Sequence, residues 1–511
     1  METERITNEN KKLKIGIFSD AFFPMIDGVV NVIDNYAKRL SAYADVTVFA
    51  PEGREDYDDS VFSYKVVRCN KKLTASFLDY DLPMPSWDKD FMKVLKNADL
   101  DIVHIHSPFS IGKVGLKFAR KKKIPIVATL HSQFKKDFYL ATKSEFLTSL
   151  LLKNVITVFN NCDECWAVNK EVAKVYFKEY KLNRLPKIQN NGTDLKFYDN
   201  DDEIEKLRKQ YGIEKDCKIL LFVGRINRLK NIFFTLDCVK VLRDKGFNFK
   251  MIFVGTGPDF DELKEKISEY HLEDRVILTG KICDRELIVK HYRMADLFVF
   301  PSLYDCSSLV QIEAASQKTP TIFIRGAVTS GTCTEDVDAF FSEENVNKFA
   351  QKIIDIFENR EEYEKIKNGA YNNLYVTWDD AVKKVYNDYL SVLDKFNKGY
   401  YNKFHSQAYK SHKRKVKLVV DKECLKNKRY IEKKRRNRKK QLKENVFKAI
   451  KQDKALAKQL KEEEIKQERI KKRELNKEKV RSNKERAKIK KQEREKLRKE
   501  MKSHKHSSSK K

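Results

Sequence analysis

A succession of short, continuously apolar runs, each closed by a glycine, histidine or proline-serine loop, constrains this chain more than any other feature. Lys14 to Ser19 (KIGIFS), Val46 to Ala50, Ile102 to His106 (IVHIH) and Ile126 to Leu130 (IVATL) form one series. Lys218 to Val223 (KILLFV), Met251 to Val254, Val276 to Thr279 and Leu297 to Phe300 form a second. Runs apolar on both faces, alternating with helix-like stretches, read as parallel strands buried between helices. The pattern predicts an α/β fold. In open sheets of this kind, ligands sit beyond the carboxyl ends of the strands. The polar loops after each run are therefore the places to look for chemistry.

A chain of 511 residues has room for two globular domains and an extra segment. The net charge of +30 is divided very unevenly. Residues 1–400 carry 61 Lys and Arg against 60 Asp and Glu, whereas residues 401–511 carry 44 against 15. The globular part is nearly neutral and the C-terminal segment holds the basicity. Cys162 and Cys165 form a CxxC pair with no second pair at zinc-ligand spacing, so no metal site is expected and the thiols read as reduced, cytosolic cysteines. The N-terminus has no apolar signal core. The longest apolar run, Phe146 to Phe159, is interrupted by Lys153 and Asn154, so no transmembrane helix is expected.

The strand-end loops supply the candidate residues. Gly28 lies in the loop after the first run, just before a helix expected near Val29, where a glycine lets backbone approach a ligand. His131 directly follows the IVATL run; His104, inside a run, reads as structural. Asn190 to Asp194 (NNGTD) reads as a turn between domains. Gly224 permits a tight exit from KILLFV, and Arg225 and Lys230 put two cations at a helix start, which suits a diphosphate. Gly255-Thr256-Gly257 lacks the third glycine of a dinucleotide fingerprint. Lys281 and Ile282 follow Gly280 in another such loop. The stretch PSLYDCSSLVQIEAASQKTP, Pro301 to Pro320, breaks after a strand and enters a helix near Ser308. Its carboxylates Asp305 and Glu313 are eight positions apart, and Ser307, Ser308 and Leu309 fall where free N–H groups and the positive end of a helix dipole would meet a phosphate. An ordinary capped helix with a buried glutamate fits that stretch as well.

Taken in order, GIFSDAFFPMIDGVVNVI, HIHSPFSIG, ATLHSQF, NNGTD, FVGRINRLKN, FVGTGPD, LTGKI, HYRMADLFVFPS and the D-x7-E stretch resemble the retaining glycosyltransferases of the GT-B fold. The nearest resemblance is to bacterial 1,2-diacylglycerol 3-alpha-glucosyltransferases, over roughly residues 12–396. It implies two Rossmann-like, doubly wound domains facing a cleft. Residues 1–188 would form the acceptor domain and 189–370 the nucleotide-sugar donor domain. A helix over 371–396 would return to the first domain, and 398–511 would be a basic, helical or disordered tail. It implies no metal and no cofactor. Carried over position by position, Gly28 would sit under the donor phosphates, and His131 beside the reacting sugar. Arg225 and Lys230 would meet the diphosphate leaving group, helped by Gly224, Gly255 and the amides around Ser308 and Leu309. Asp305 would contact sugar hydroxyls, Glu313 the ribose, and Lys281 and Ile282 the base. Asp305 stands where the family usually has Glu, one methylene longer.

The implied reaction is transfer of a hexose, with glucose expected, from a nucleoside diphosphate sugar to a lipid hydroxyl, with diacylglycerol as the expected acceptor. A soluble sugar or cell-wall precursor as acceptor, a GT-B nucleotide-sugar epimerase, and a non-enzymatic nucleic-acid-binding protein are the alternatives. Val114, Leu116 and Phe118 beside Lys117 and Arg120 to Lys123, and Lys135, Lys136 and Lys153 near the 146–159 run, suit an interfacial helix against anionic lipid. The tail has few aromatics beyond residue 431, so its contacts would be electrostatic, with an anionic membrane surface or nonspecifically with nucleic acid. The expected location is cytoplasmic, peripheral on the inner face of the membrane.

Overall fold

The computed structural model describes residues 12–402, apart from Ile26, 54–56, 74–80 and Ser308, together with residues 472–473, 476–477, 479–496 and 498. The chain divides into two compact units, Met1–His405 and Ser406–Lys511.

The first unit holds two parallel sheets. In the first half, β1 (Leu13–Phe18), β2 (Ala44–Pro51) and β3 (Lys65–Cys69) are followed by a small antiparallel ribbon of β4 (Lys72–Leu73) and β5 (Leu82–Pro83). Then come β6 (Ile102–Ile105), β7 (Ile126–Leu130), β8 (Glu164–Ala167) and β9 (Lys187–Ile188). Seven of these pair in the order β3-β2-β1-β6-β7-β8-β9, every pairing parallel. Helices α1 (Gly28–Leu40), α2 (Lys89–Asn97), α3 (Ser110–Lys122), α4 (Phe134–Thr142), α5 (Glu145–Asn160) and α6 (Lys170–Lys174) connect the strands.

In the second half, α7 (Asp201–Gln210) precedes β10 (Lys218–Val223). There follow α8 (Ile232–Asp244), β11 (Phe249–Val254), α9 (Phe260–Glu269), β12 (Val276–Gly280), α10 (Arg285–Met294), β13 (Leu297–Val299) and α11 (Leu309–Ser316). The half closes with β14 (Thr321–Ile324), β15 (Phe340–Ser342), α12 (Val346–Glu358) and α13 (Arg360–Leu374). The order is β12-β11-β10-β13-β14-β15, again all parallel. Both sheets are doubly wound and Rossmann-like, with the strand order reversing beside the first strand of each half. The IVATL and KILLFV runs coincide with β7 and β10, because continuous β-branched and aliphatic residues suit strands covered on both faces.

Helix starts are fixed by local side chains. Asp27, Asp88, Ser144, Asn169, Asn200, Asn345 and Thr377 each accept a backbone N–H of the helix that follows. The last helix, α14 (Trp378–Asn397), starts later than the 371–396 span expected from sequence. Tyr371 to Leu374 still belong to α13, and Thr377 caps the new helix through Asp380 N at 3.1 Å. Trp378, Ala381, Val382, Val385, Tyr389 and Val392 then bury against Ile15, Ile17, Val30 and Trp166 of the first half. At about 1.5–3 kcal/mol for each large side chain, this one face ties the end of the second half to the first sheet. Residues 398–402 continue the packing: Tyr401 is buried and its hydroxyl donates to Glu164 at 2.7 Å.

The expected interfacial face of Val114, Leu116 and Phe118 is corrected. Val114 and Phe118 are buried in the first-half core and Leu116 packs against it, because α3 covers the sheet. The 146–159 run behaves differently. Val155, Ile156, Val158 and Phe159 are buried, but Phe146, Leu147, Leu150 and Leu151 are exposed, as are Tyr139 and Leu140 on α4.

In the second unit, residues 479–496 are helical and each is exposed. The patches HKRKVKLVV and IEKKRRNRKK lie outside the described residues.

Candidate active site

The carboxyl end of the second sheet is a floor of touching loops. Gly224 N donates to Val254 O at 3.0 Å, Gly255 N to Gly280 O at 2.8 Å, and Ile226 N to Thr256 O at 3.0 Å. Gly255 has φ +141, and a Cβ there would lie 1.9 Å from Gly224 O. Only glycine fits that approach. The Gly-Thr-Gly segment, unremarkable as a motif, is thus what lets the β10 and β11 exits close on each other.

Above this floor, Lys230 and Asp305 meet. Lys230 ends a 3-10 turn capped by Asn227, whose side chain accepts Lys230 N at 3.1 Å. Its Nζ lies 2.6 and 2.7 Å from the two carboxylate oxygens of Asp305 and 5.6 Å from the Phe300 ring centroid. The Ser302 hydroxyl donates to Asp305 Oδ2 at 2.6 Å. The pair is about four-fifths buried on both sides. Arg225, by contrast, is exposed and has no ion pair among the described residues. One cation is therefore fixed by a carboxylate, and the other stands exposed at the exit of β10.

Glu313 does not share this contact. It lies on α11, where its Oε2 accepts the Tyr292 hydroxyl at 2.9 Å and its Oε1 faces Arg285 nitrogens at 3.3 and 3.4 Å. Burial pushes the Tyr292 hydroxyl well above its ordinary range, so it stays a donor. Ser307 precedes α11 and its Oγ accepts from Asn191 at 3.3 Å; Leu309 is the first helical residue and packs on the first-half core. Ser308 lies outside the described residues. Lys281 is exposed, and Ile282 is half-buried against the second-half core.

From the first half, His131 follows β7 and its Nε2 is 2.9 Å from His106 Nδ1. The rings lie side by side with planes 18° apart. Burial pushes His131 down to about 3 and His106 well below the usual imidazole value, so both are neutral at physiological pH. His104 is sealed: one nitrogen meets Tyr389 at 2.6 Å and the other Thr129 at 2.7 Å. Gly28 is the exposed first residue of α1, and a Cβ there would meet nothing within 4 Å.

Several residues that sequence reasoning did not assign to this site tie it together. Gln133, two residues after His131, donates to backbone carbonyls of the Asp305 loop, and Lys136 Nζ reaches Leu303 O at 2.6 Å. Asn169 donates to Cys306 O at 2.6 Å. Arg285 and Tyr292 flank Glu313. No spacing rule exposes them, because each acts across the join between halves or between helices. Among the described residues, no group of three or more His, Cys, Asp or Glu side chains could hold a metal ion, and no helix is long and apolar enough to cross a membrane.

Comparison with known proteins follows the two halves. Residues 26–197 match the Glycosyltransferase Family 4 model and residues 203–373 the Glycosyl transferases group 1 model. An alpha-monoglucosyldiacylglycerol synthase of Acholeplasma laidlawii is 27% identical over 406 residues, 76% of this chain and 99% of that protein. One from Streptococcus pneumoniae is 25% identical over 317 residues, 61% of this chain and 70% of its own length. Among solved structures, Anabaena HepE in complex with UDP superposes with a TM-score of 0.59 at 17% identity, covering 74% of this chain and all of that one. The two Rossmann-like halves thus match, in chain order, a Glycosyltransferase Family 4 domain and a Glycosyl transferases group 1 domain, together in the GT-B fold of glycosyltransferases.

Proposed function

We propose that this glycosyltransferase is a retaining hexosyltransferase that moves glucose from a nucleoside diphosphate sugar to a lipid hydroxyl, with diacylglycerol as the acceptor. The observation that carries the lipid assignment is the outer face of α4 and α5. Tyr139, Leu140, Phe146, Leu147, Leu150 and Leu151 are exposed there, with Lys135 and Lys136 on α4, Lys143 capping its end and Lys153 on α5. Apolar side chains beside cations are what a helix needs to settle among anionic headgroups. The names of the relatives point to the same acceptor.

In this reading the donor diphosphate lies over the floor of β-strand exits, where Arg225, Lys230 and the amides at the start of α11 meet charge as it develops on the leaving group. Preset cations need no reorganisation at that moment, which is why such sites lower the barrier. Asp305 orients Lys230 and receives sugar hydroxyls; its shorter side chain is matched by the close approach of Lys230 and Ser302. Glu313, held by Tyr292 and Arg285, presents a carboxylate edge to the ribose. Lys281 and Ile282 flank the base, and neutral His131 contacts the sugar. Gly28 opens α1 below the phosphates.

The basic C-terminal segment, with its exposed 479–496 helix, holds the enzyme peripherally at the anionic inner face of the membrane, each Lys or Arg contributing about 1 kcal/mol near such a surface. The deciding experiment is a donor-by-acceptor screen. Nucleotide release from UDP-glucose should need diacylglycerol and should yield an α-linked glycolipid. Equal turnover of a water-soluble sugar would overturn the lipid assignment, and no release above a heat-killed control would overturn the transferase.

A further inference from the structure

The loop that carries Asp305 is divided between the two halves of the first unit. Its carboxylate reaches Lys230 and Ser302 in the second half. Its backbone is held from the first half. Gln133 Nε2 lies 2.7 Å from Tyr304 O, 3.3 Å from Leu303 O and 3.4 Å from Asp305 O. The Tyr304 hydroxyl donates to Asp137 on α4. The Cys306 side chain is buried in the first-half core, and its carbonyl accepts Asn169. Among the described residues, no backbone N–H meets the carbonyls of Leu303 or Tyr304. Side chains meet these carbonyls instead, and Gln133, itself 6% exposed, is the buried donor on which they converge.

We propose that Gln133 is a positioning residue for Asp305: from the acceptor half, it fixes the backbone so that the carboxylate stands against Lys230 only when the halves are closed on each other. The proposal rests on the role given to Asp305 above. Gln133 is suited to this task. A neutral amide offers two donors to three oxygens without adding charge beside the Lys230–Asp305 pair. Lys136, which shares Leu303 O, is exposed and can be replaced there by water. Gln133 is enclosed, so loss of its donors leaves carbonyls unmet.

The test is Gln133→Glu, which keeps the shape but sets oxygen against three carbonyl oxygens, with Gln133→Met as a neutral variant of similar length. Turnover is followed as UDP release from UDP-glucose with detergent-dispersed diacylglycerol, and nucleotide binding by titration with UDP. Both variants should lower kcat by about tenfold or more, since small misplacements of reacting groups are costly. KM for the donor and UDP affinity should change less than about threefold, because the nucleotide is held by the second half. Gln133→Asn, which keeps an amide, should recover part of kcat. In the Asp305→Ala background, Gln133→Glu should cost little more, because the group it positions is gone. Wild-type kcat in both variants, or losses that add in full to that of Asp305→Ala, would overturn the proposal. Full activity of Asp305→Ala alone would remove the underlying role of Asp305, an outcome separate from any effect at Gln133.

Discussion

Replacing Lys230 by Ala gives the sharpest test of the site, because the structure predicts two effects of different size. The first is on stability. Lys230 and Asp305 are both about four-fifths buried and doubly bonded, so truncation leaves a carboxylate whose only partner among the described residues is Ser302. An incompletely satisfied buried group of this kind costs about 1–3 kcal/mol. The second is on catalysis: loss of one preset charge facing a leaving group costs about 2–4 kcal/mol in kcat/KM, a factor of about thirty to a thousand. Arg225→Ala separates the two. Arg225 is exposed and unpaired among the described residues, so its removal should change stability by no more than about 0.5 kcal/mol while lowering kcat/KM by a similar 2–4 kcal/mol. Urea unfolding and steady-state UDP release, measured on both variants, provide the comparison. If Lys230→Ala keeps kcat/KM within about threefold of wild type while losing stability, the lysine serves the fold alone and the leaving-group argument fails.

Other outcomes follow from the same geometry. Asp305→Glu should retain activity, since the longer side chain still reaches Lys230; activity no higher than in Asp305→Ala would refute the assignment. His131 is neutral when folded, with its value pushed to about 3, whereas an unfolded histidine titrates near 6.5. Its contribution is therefore intact above about pH 6.5 and falls by about 1.4 kcal/mol per unit as pH drops toward 3. His131→Gln should flatten that acid limb in urea titrations, and an unchanged slope would count against it. Gly255→Ala should unfold at markedly lower temperature, because a Cβ at φ +141 strains the backbone by about 1–3 kcal/mol before its clash with Gly224 O is counted. Truncation after residue 402 should leave turnover in detergent intact and weaken salt-sensitive binding to anionic vesicles; equal binding by both forms would exclude the tail as anchor.

The fold was legible because its signal is local. IVATL and KILLFV can do little but form buried strands, and the loops they lead into carry the candidate residues. The pairing of Lys230 with Asp305, 75 positions apart, was not legible. Sequence treated one as a cation for phosphate and the other as a ligand for sugar; contact makes each the other's partner. Gln133 stood in plain view in ATLHSQF, but its role depends on a loop 170 residues later. On α3, Val114 and Phe118 misled because an amphipathic pattern does not say whether its apolar face meets a sheet or a lipid. On α5 the exposed half of the 146–159 run does not meet the sheet, which burial reveals and the pattern does not.

The chain passes between the two halves twice, and the passages lie side by side. Thr193 pairs in parallel with Thr377, Thr193 N donates to Val376 O at 2.9 Å, and Trp378 N to Thr193 O at 3.3 Å. Gly192 allows the contact, since a Cβ there would lie 2.7 Å from the Thr377 carbonyl carbon. Arg39 clamps both passages through Asp194 and Asp379. Two connections laced together make this line the natural axis for any rotation of one half against the other, a door's pin rather than a tether. In a rotation about that axis, the rim farthest from Thr193 and Thr377 travels the greatest distance.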